Sequence, residues 1–265
     1  MRRNLMLVLA LAAVLSLGVT AVASALTSTT LRAGNLIATF GGGTSPTKLS
    51  RTKFTPVKTT FFGKIKTSDG THPSALREAV VDIDKDVKID IKGYPVCKAG
   101  QLTARNTTAA KRVCGKTELG KGLAHASIAF PEQRPIRVTS PITIFNGGGN
   151  ARKTKLLIHT FLTVPVPASI VTQVTVQKKG TGIHAIAKVP VIAGGSGSVL
   201  DYRFDIGKTY RVGKKKHYYS SAKCPDGKFI VKTPKTLFKN EARIPGVAAQ
   251  TVLKGSLAVP CKPKR

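Results

Sequence analysis

The sequence predicts an all-β fold: a disulfide-stapled, mostly antiparallel β-sandwich with at most one or two short helices. Three observations carry this expectation. Short apolar or alternating runs recur about every ten residues, and each stops at Gly, Pro or Asp-Gly. Only residues 106–115, "NTTAAKRVCG", have the caps and spacing of a helix, with Thr107 or Thr108 as the cap and Gly115 as the stop. Four cysteines lie behind an export leader, where an even count reads as two cross-links.

Along the chain, Arg2 and Arg3 precede an apolar run from Leu5 to Leu17, and Ala23-Ser24-Ala25 follows. This is the layout of a signal peptide cleaved after Ala25, so residues 1–25 are read as a leader and the product as secreted and extracellular. The run is short for a ~20-residue membrane span, and no cysteine follows it to accept a lipid. Residues 26–50 are rich in Ser, Thr and Gly and predict a flexible leader with one short strand at Leu36–Phe40. Residues 51–265 read as a single β-sandwich domain, with two smaller β domains as the alternative.

Within that domain, "VKTTFFGKIKT" stops at Asp69-Gly70, "PIRVTSPITIFNGGG" at its glycines and "KLLIHTFLTVPV" at its prolines. "SIVTQVTVQKKGTGIHAIAKVPVI" reads as two strands about Lys179-Gly180. "TYRV", "GKKK" and "HYYS" read as another hairpin, with lysines at its tip.

The cysteines are Cys97, Cys114, Cys224 and Cys261, with separations of 17, 110 and 37 residues and no C-x-x-C pair. Zinc knuckles and thioredoxin-like sites usually show that pair. Short loops close at the least entropic cost, which favours the sequential pairing Cys97–Cys114 and Cys224–Cys261.

"DIDKDVKID", residues 82–90, holds four of the twelve carboxylates: Asp82, Asp84, Asp86 and Asp90. Strand alternation places all four on one solvent face, with Val81, Ile83, Val87 and Ile89 toward a core; Lys85-Asp86 reads equally as a tip between two short strands. An EF-hand-like loop wants Gly sixth and Glu twelfth, where Val87 and Gly93 stand. Alternate ligands on one strand also splay about 7 Å apart. No metal site or cofactor is therefore assigned.

The landmarks "GYPVC" (93–97), Cys114-Gly115, "PEQRP" (131–135), "FNG" (145–147) and "YYSSAKC" (218–224) resemble those of uncharacterised secreted proteins of high-G+C Gram-positive bacteria. The resemblance covers residues 57–261 and implies a signal peptide and a β-rich fold. It carries no known activity.

No G-x-S-x-G elbow or H-E-x-x-H motif occurs, and no catalytic residue is assigned. His159 and His184 lie within apolar strands and read as hydrogen-bonded structural residues. The formal charge is +31. Loss of Arg2 and Arg3 with the leader lowers it by two, to +29 over 240 residues. Such a balance suits a non-enzymatic extracellular or surface-associated protein that binds anionic polymers without specificity: cell-wall polymer, acidic membrane surface or extracellular nucleic acid. Arg211, Lys214, Lys215, Lys216 and His217 form the densest cluster and the candidate binding group. The alternative is a secreted hydrolase whose site assembles only in three dimensions. Convergent His and carboxylate groups in a deep cleft would favour it.

Overall fold

The computed structural model describes residues 26–130 and 133–264; the leader and its cleavage site lie outside them. The chain is all-β, and its strands follow one another almost without interruption. Strands β1 (Thr27–Ala33) and β2 (Leu36–Ser45) form a hairpin, and the two-residue strands β3 (Lys48–Leu49) and β4 (Thr55–Pro56) follow. Next come β5 (Lys58–Thr67), β6 (Ala75–Ile83), β7 (Val87–Ile89), helix α1 (Thr107–Cys114), β8 (Glu118–Phe130) and β9 (Gln133–Gly149). The hairpin of β10 (Lys153–Leu162) and β11 (Ala168–Lys179) leads to β12 (Gly182–Lys188) and β13 (Gly197–Ile206). The short strands β14 (Thr209–Val212), β15 (Lys215–Tyr218) and β16 (Ser220–Ala222) precede β17 (Lys228–Lys239), β18 (Gln250–Pro260) and β19 (Lys262–Pro263).

Twelve strands make one continuous sheet in the order β1-β2-β5-β13-β8-β9-β10-β11-β12-β6-β17-β18. Every neighbouring pair in it is antiparallel. So wide a twisted sheet cannot stay open with one face apolar, and it curls until its halves face each other across the core. The two edges meet through side chains: Leu31 of β1 packs over Gly255 of β18, where an added Cβ would stand 3.0 Å from the Leu31 methyls. Leu31, Leu36, Ile65, Phe238 and Leu253 share one cluster across that seam.

Residues 26–50, expected as a flexible leader with one strand, instead form β1, β2 and β3. The glycines that suggested flexibility serve close packing. A Cβ on Gly41 would stand 2.2 Å from the Thr27 carbonyl and 2.5 Å from the Phe62 ring, so only glycine lets strand and ring approach there.

Both disulfides take the expected pairing. Cys97–Cys114 ties α1 to the segment before it, and the resulting lobe covers the outer face of the sheet with Leu102, Ala110, Phe145 and Leu157. The helix is capped by Asn106, whose side-chain oxygen accepts from the Ala109 N–H, and not by Thr107 or Thr108. Cys224–Cys261 lies with Leu49, Val57, Ala222 and Phe229 at one end of the curled sheet. Two disulfides belong to a chain that folds in an oxidising, extracytoplasmic environment. Among the described residues no helix is long and apolar enough to cross a membrane.

Candidate functional site

The sheet curls around an apolar space lined by most of its strands. Its character follows from the strand registers. Reading across the sheet at mid-height, inward positions fall at Gly63, Tyr202, Ala124 and Ser140 from β5, β13, β8 and β9. A second run in register passes through Ala187, Ala79, Thr236 and Leu253 from β12, β6, β17 and β18. Most of these side chains are small. The levels on either side carry large ones: Ile142, Ile158, Val174 and Phe204 toward one end, Ile65, Leu76 and Leu162 toward the other. A curled sheet of this many strands is too wide for small side chains to fill. What remains is a cavity of about 350 Å³.

At one end the cavity is floored. The small sheet β4-β16-β7 and the β14–β15 hairpin cover it, and Val87, Ile89, Tyr94, Tyr210 and Tyr219 pack onto the core there. The connection from β10 to β11 and the one from β12 to β13 lie at the opposite end, and there Val164, Val166 and Val191 face solvent.

The cavity wall contains no Lys, Arg, Asp or Glu among the described residues. Its most prominent polar feature is Tyr202. The ring lies against Gly63, where a Cβ would come within 2.6 Å of it, and stacks at 5.8 Å on Phe204, itself 5.4 Å from Phe61. No hydrogen bond to another described residue stabilises either form of the Tyr202 hydroxyl; burial alone pushes its pKa up to about 12. It is a neutral donor at any physiological pH. Tyr219, 2% exposed at the floor, also has a hydroxyl without a partner, and burial raises it likewise.

Of the histidines only His125 lines this space among the described residues. Three form histidine–aspartate pairs through Nδ1: His125 with Asp201 at 2.6 Å, His217 with Asp90 at 2.9 Å, and His184 with Asp82. The first and last pairs sit directly across adjacent strands, and Arg137 and Lys179 add a cation to each aspartate. Among the described residues none of the three pairs has a serine hydroxyl on its histidine. His72 Nδ1 does contact Ser127 Oγ at 3.2 Å, but His72 has no carboxylate to orient it, and Ser127 is buried. His159 is fully buried beneath the α1 lobe, where Nε2 donates to the Arg105 carbonyl. Burial holds the His159 and His72 imidazoles below their usual range. His159 and His184 are hydrogen-bonded parts of the framework, as their apolar strands suggested.

The acidic stretch is distributed among local tasks. β6 ends at Ile83 and β7 starts at Val87, so Asp84-Lys85-Asp86 is the bend between two strands that pair with different partners. Asp84 accepts from the Asp86 and Ile230 N–H groups; Asp86 lies 3.3 Å from Lys223 Nζ; Asp90 accepts from the Lys92 N–H and His217. The expected common solvent face fails at Asp86, which is 4% exposed because the bend turns its side chain under Lys223. Among the described residues no three His, Cys, Asp or Glu side chains converge on a point that would hold a metal ion.

The basic cluster is a hairpin, with Arg211 opposite Lys216 and Val212 opposite Lys215. Gly213, at φ 58°, and Lys214 form its tip. His217 does not join the lysines. Strand alternation turns it to the inner face, where it stacks 5.3 Å from Tyr210 and binds Asp90.

The cavity was missed in the sequence, although a signal for it exists. In "GKGLAHA" Gly120, Gly122, Ala124 and Ala126 alternate, and in "HAIAK" Ala185 and Ala187 do the same. Such runs of small residues at inward positions of β8 and β12 mark a core that is not filled. In comparisons with known proteins, no family model, no curated protein and no solved structure matches this chain.

Proposed function

We propose that this protein is an exported, non-enzymatic binding protein that takes an apolar molecule into the interior of its curled sheet. The carrying observation is the cavity of about 350 Å³ with its apolar wall. Interiors are normally close-packed, and an apolar cavity that stays dry costs roughly 24 cal/mol per Å³. Leu in place of Ala at a few inward positions would remove it. The volume lies within the range of about 300–1,000 Å³ common to small-molecule sites. The exposed Val164, Val166 and Val191, opposite the floored end, support entry from that side. In this reading export follows cleavage after Ala25, just ahead of the first strand residue, Thr27.

The test is titration with diphenylhexatriene, a neutral hydrocarbon that fluoresces only in apolar surroundings. Wild type should give saturable emission. Ala187→Leu, which fills the mid-height ring, should reduce it at least tenfold while leaving the melting temperature equal or higher. Wild-type emission no greater than that of Ala187→Leu would refute the reading.

The +29 exterior supports a separate proposal of non-specific association with anionic polymers, to which Arg211, Lys214 and Lys216 would contribute from the β14–β15 hairpin. Retention on heparin should fall steeply with salt and should weaken when Lys214, Lys215 and Lys216 become Gln. Retention insensitive to salt or to that variant would sink it.

A further inference from the structure

We propose that the ligand of this cavity is uncharged and carries a hydrogen-bond acceptor, an ester or ketone carbonyl on an apolar chain, which receives the Tyr202 hydroxyl proton in a hydrogen bond. The inference rests on the cavity reading above and names its ligand class.

The chain has forty-three Lys and Arg, yet none lines the cavity among the described residues. Strand alternation turns those of the described strands away from it. His125, the one imidazole that reaches the wall, is already bound through Nδ1 to Asp201. A carboxylate or phosphate taken into this space would lose its hydration and gain no counter-charge, which is among the costliest transfers a protein can make. A free fatty acid anion would therefore leave its head outside, whereas a neutral ester or ketone could enter whole.

Tyr202 then selects among neutral molecules. A fully buried tyrosine hydroxyl usually finds a protein partner; Tyr202 is only partly buried, so its hydroxyl is open to take one from a molecule in the cavity. Tyr202 has none among the described residues, although Thr160, Thr172 and Ser140 line the same space. Ser140 is committed elsewhere: it donates to the Phe161 carbonyl and accepts from the Phe161 N–H. The aromatic contacts with Gly63 and Phe204 hold the Tyr202 ring in one place, so its donor is preorganised and costs little to order on binding. A carbonyl oxygen, which accepts without needing to donate, satisfies it. A pure hydrocarbon leaves it unpaired.

Three probes with one chromophore separate these possibilities at pH 7.4: diphenylhexatriene, its propionic acid derivative as the carboxylate, and the methyl ester of that acid. Wild type should bind the ester about fivefold more tightly than the hydrocarbon, from one added hydrogen bond, and at least tenfold more tightly than the carboxylate. Tyr202→Phe should bring the ester to the level of the hydrocarbon and leave hydrocarbon affinity unchanged or slightly improved. A carboxylate that binds as tightly as the ester, or a Tyr202→Phe variant that weakens all three probes alike, would overturn the inference while leaving the cavity reading intact. Failure of wild type to bind even the hydrocarbon would overturn both.

Discussion

Replacement of Cys224 and Cys261 together by Ala is expected to destabilise the protein by about 4 kcal/mol, from the loop-closure entropy of a 37-residue separation. For a domain of this size that corresponds to a fall in melting temperature of roughly 8–16 °C. The bridge is placed where this loss has consequences beyond entropy. Cys224 N–H donates to the Ser50 carbonyl, Cys261 N–H to Gly227, and Lys262 N–H to Thr47, so three distant segments meet at this one point. Leu49, fully buried, and Phe229, 2% exposed, pack around it, and Phe229 also lines the cavity. Loosening this end should therefore weaken probe binding as well as stability. Cys97–Cys114 provides the internal control. It closes a shorter loop, worth about 3 kcal/mol, and it staples a lobe on the outer face of the sheet. Its removal should lower the melting temperature and leave hydrocarbon affinity within about twofold of wild type. Equal loss of probe binding from both double variants would contradict the assignment of the Cys224–Cys261 end as the floor. A fall of less than 1 kcal/mol for Cys224 and Cys261 would show that the unfolded chain is already constrained there.

The fold class was legible because alternation and turn residues are local signals. The β11–β12 hairpin about Gly180, the β14–β15 hairpin about Gly213 and both disulfides were readable from spacing alone. The organisation of the sheet was not. β5 pairs with β13, and β6 lies between β12 and β17. Such pairings join residues more than a hundred positions apart, and no local pattern specifies them. The same limit explains the site. Each strand announces an inward face, but whether the inward faces fill the interior depends on which strands are neighbours. Ala79 and Ala187 look like ordinary small strand residues until the register places them directly across from one another. N-terminal glycines misled for a related reason. Gly41 reads as flexible in isolation and as tightly packed once the Phe62 ring lies over it.

Lys223→Met should destabilise the protein by about 3 kcal/mol, and Asp86→Asn in the same chain should restore most of that loss. Asp86 is the most deeply buried carboxylate of the acidic stretch, at 4% exposure, and Lys223 Nζ stands 3.3 Å from its Oδ1. Oδ1 makes no hydrogen bond to a described residue, so proximity of the cation is its main compensation. Removing one partner of a buried pair strands the other charge, typically at a cost of about 3–5 kcal/mol; the lower end applies because the Lys223 side chain is 26% exposed and reaches water. Neutralising both partners removes the stranded charge. Their backbones stay tied, since the Lys223 N–H donates to the Asp86 carbonyl whatever the side chains are. Asp84 continues to hold the bend through the Asp86 and Ile230 N–H groups. A double-mutant cycle by urea denaturation should therefore give a coupling of about 2 kcal/mol between positions 86 and 223. Strict additivity would mean that Asp86 finds water when Lys223 is gone, and that the bend between β6 and β7 is held by Asp84 alone.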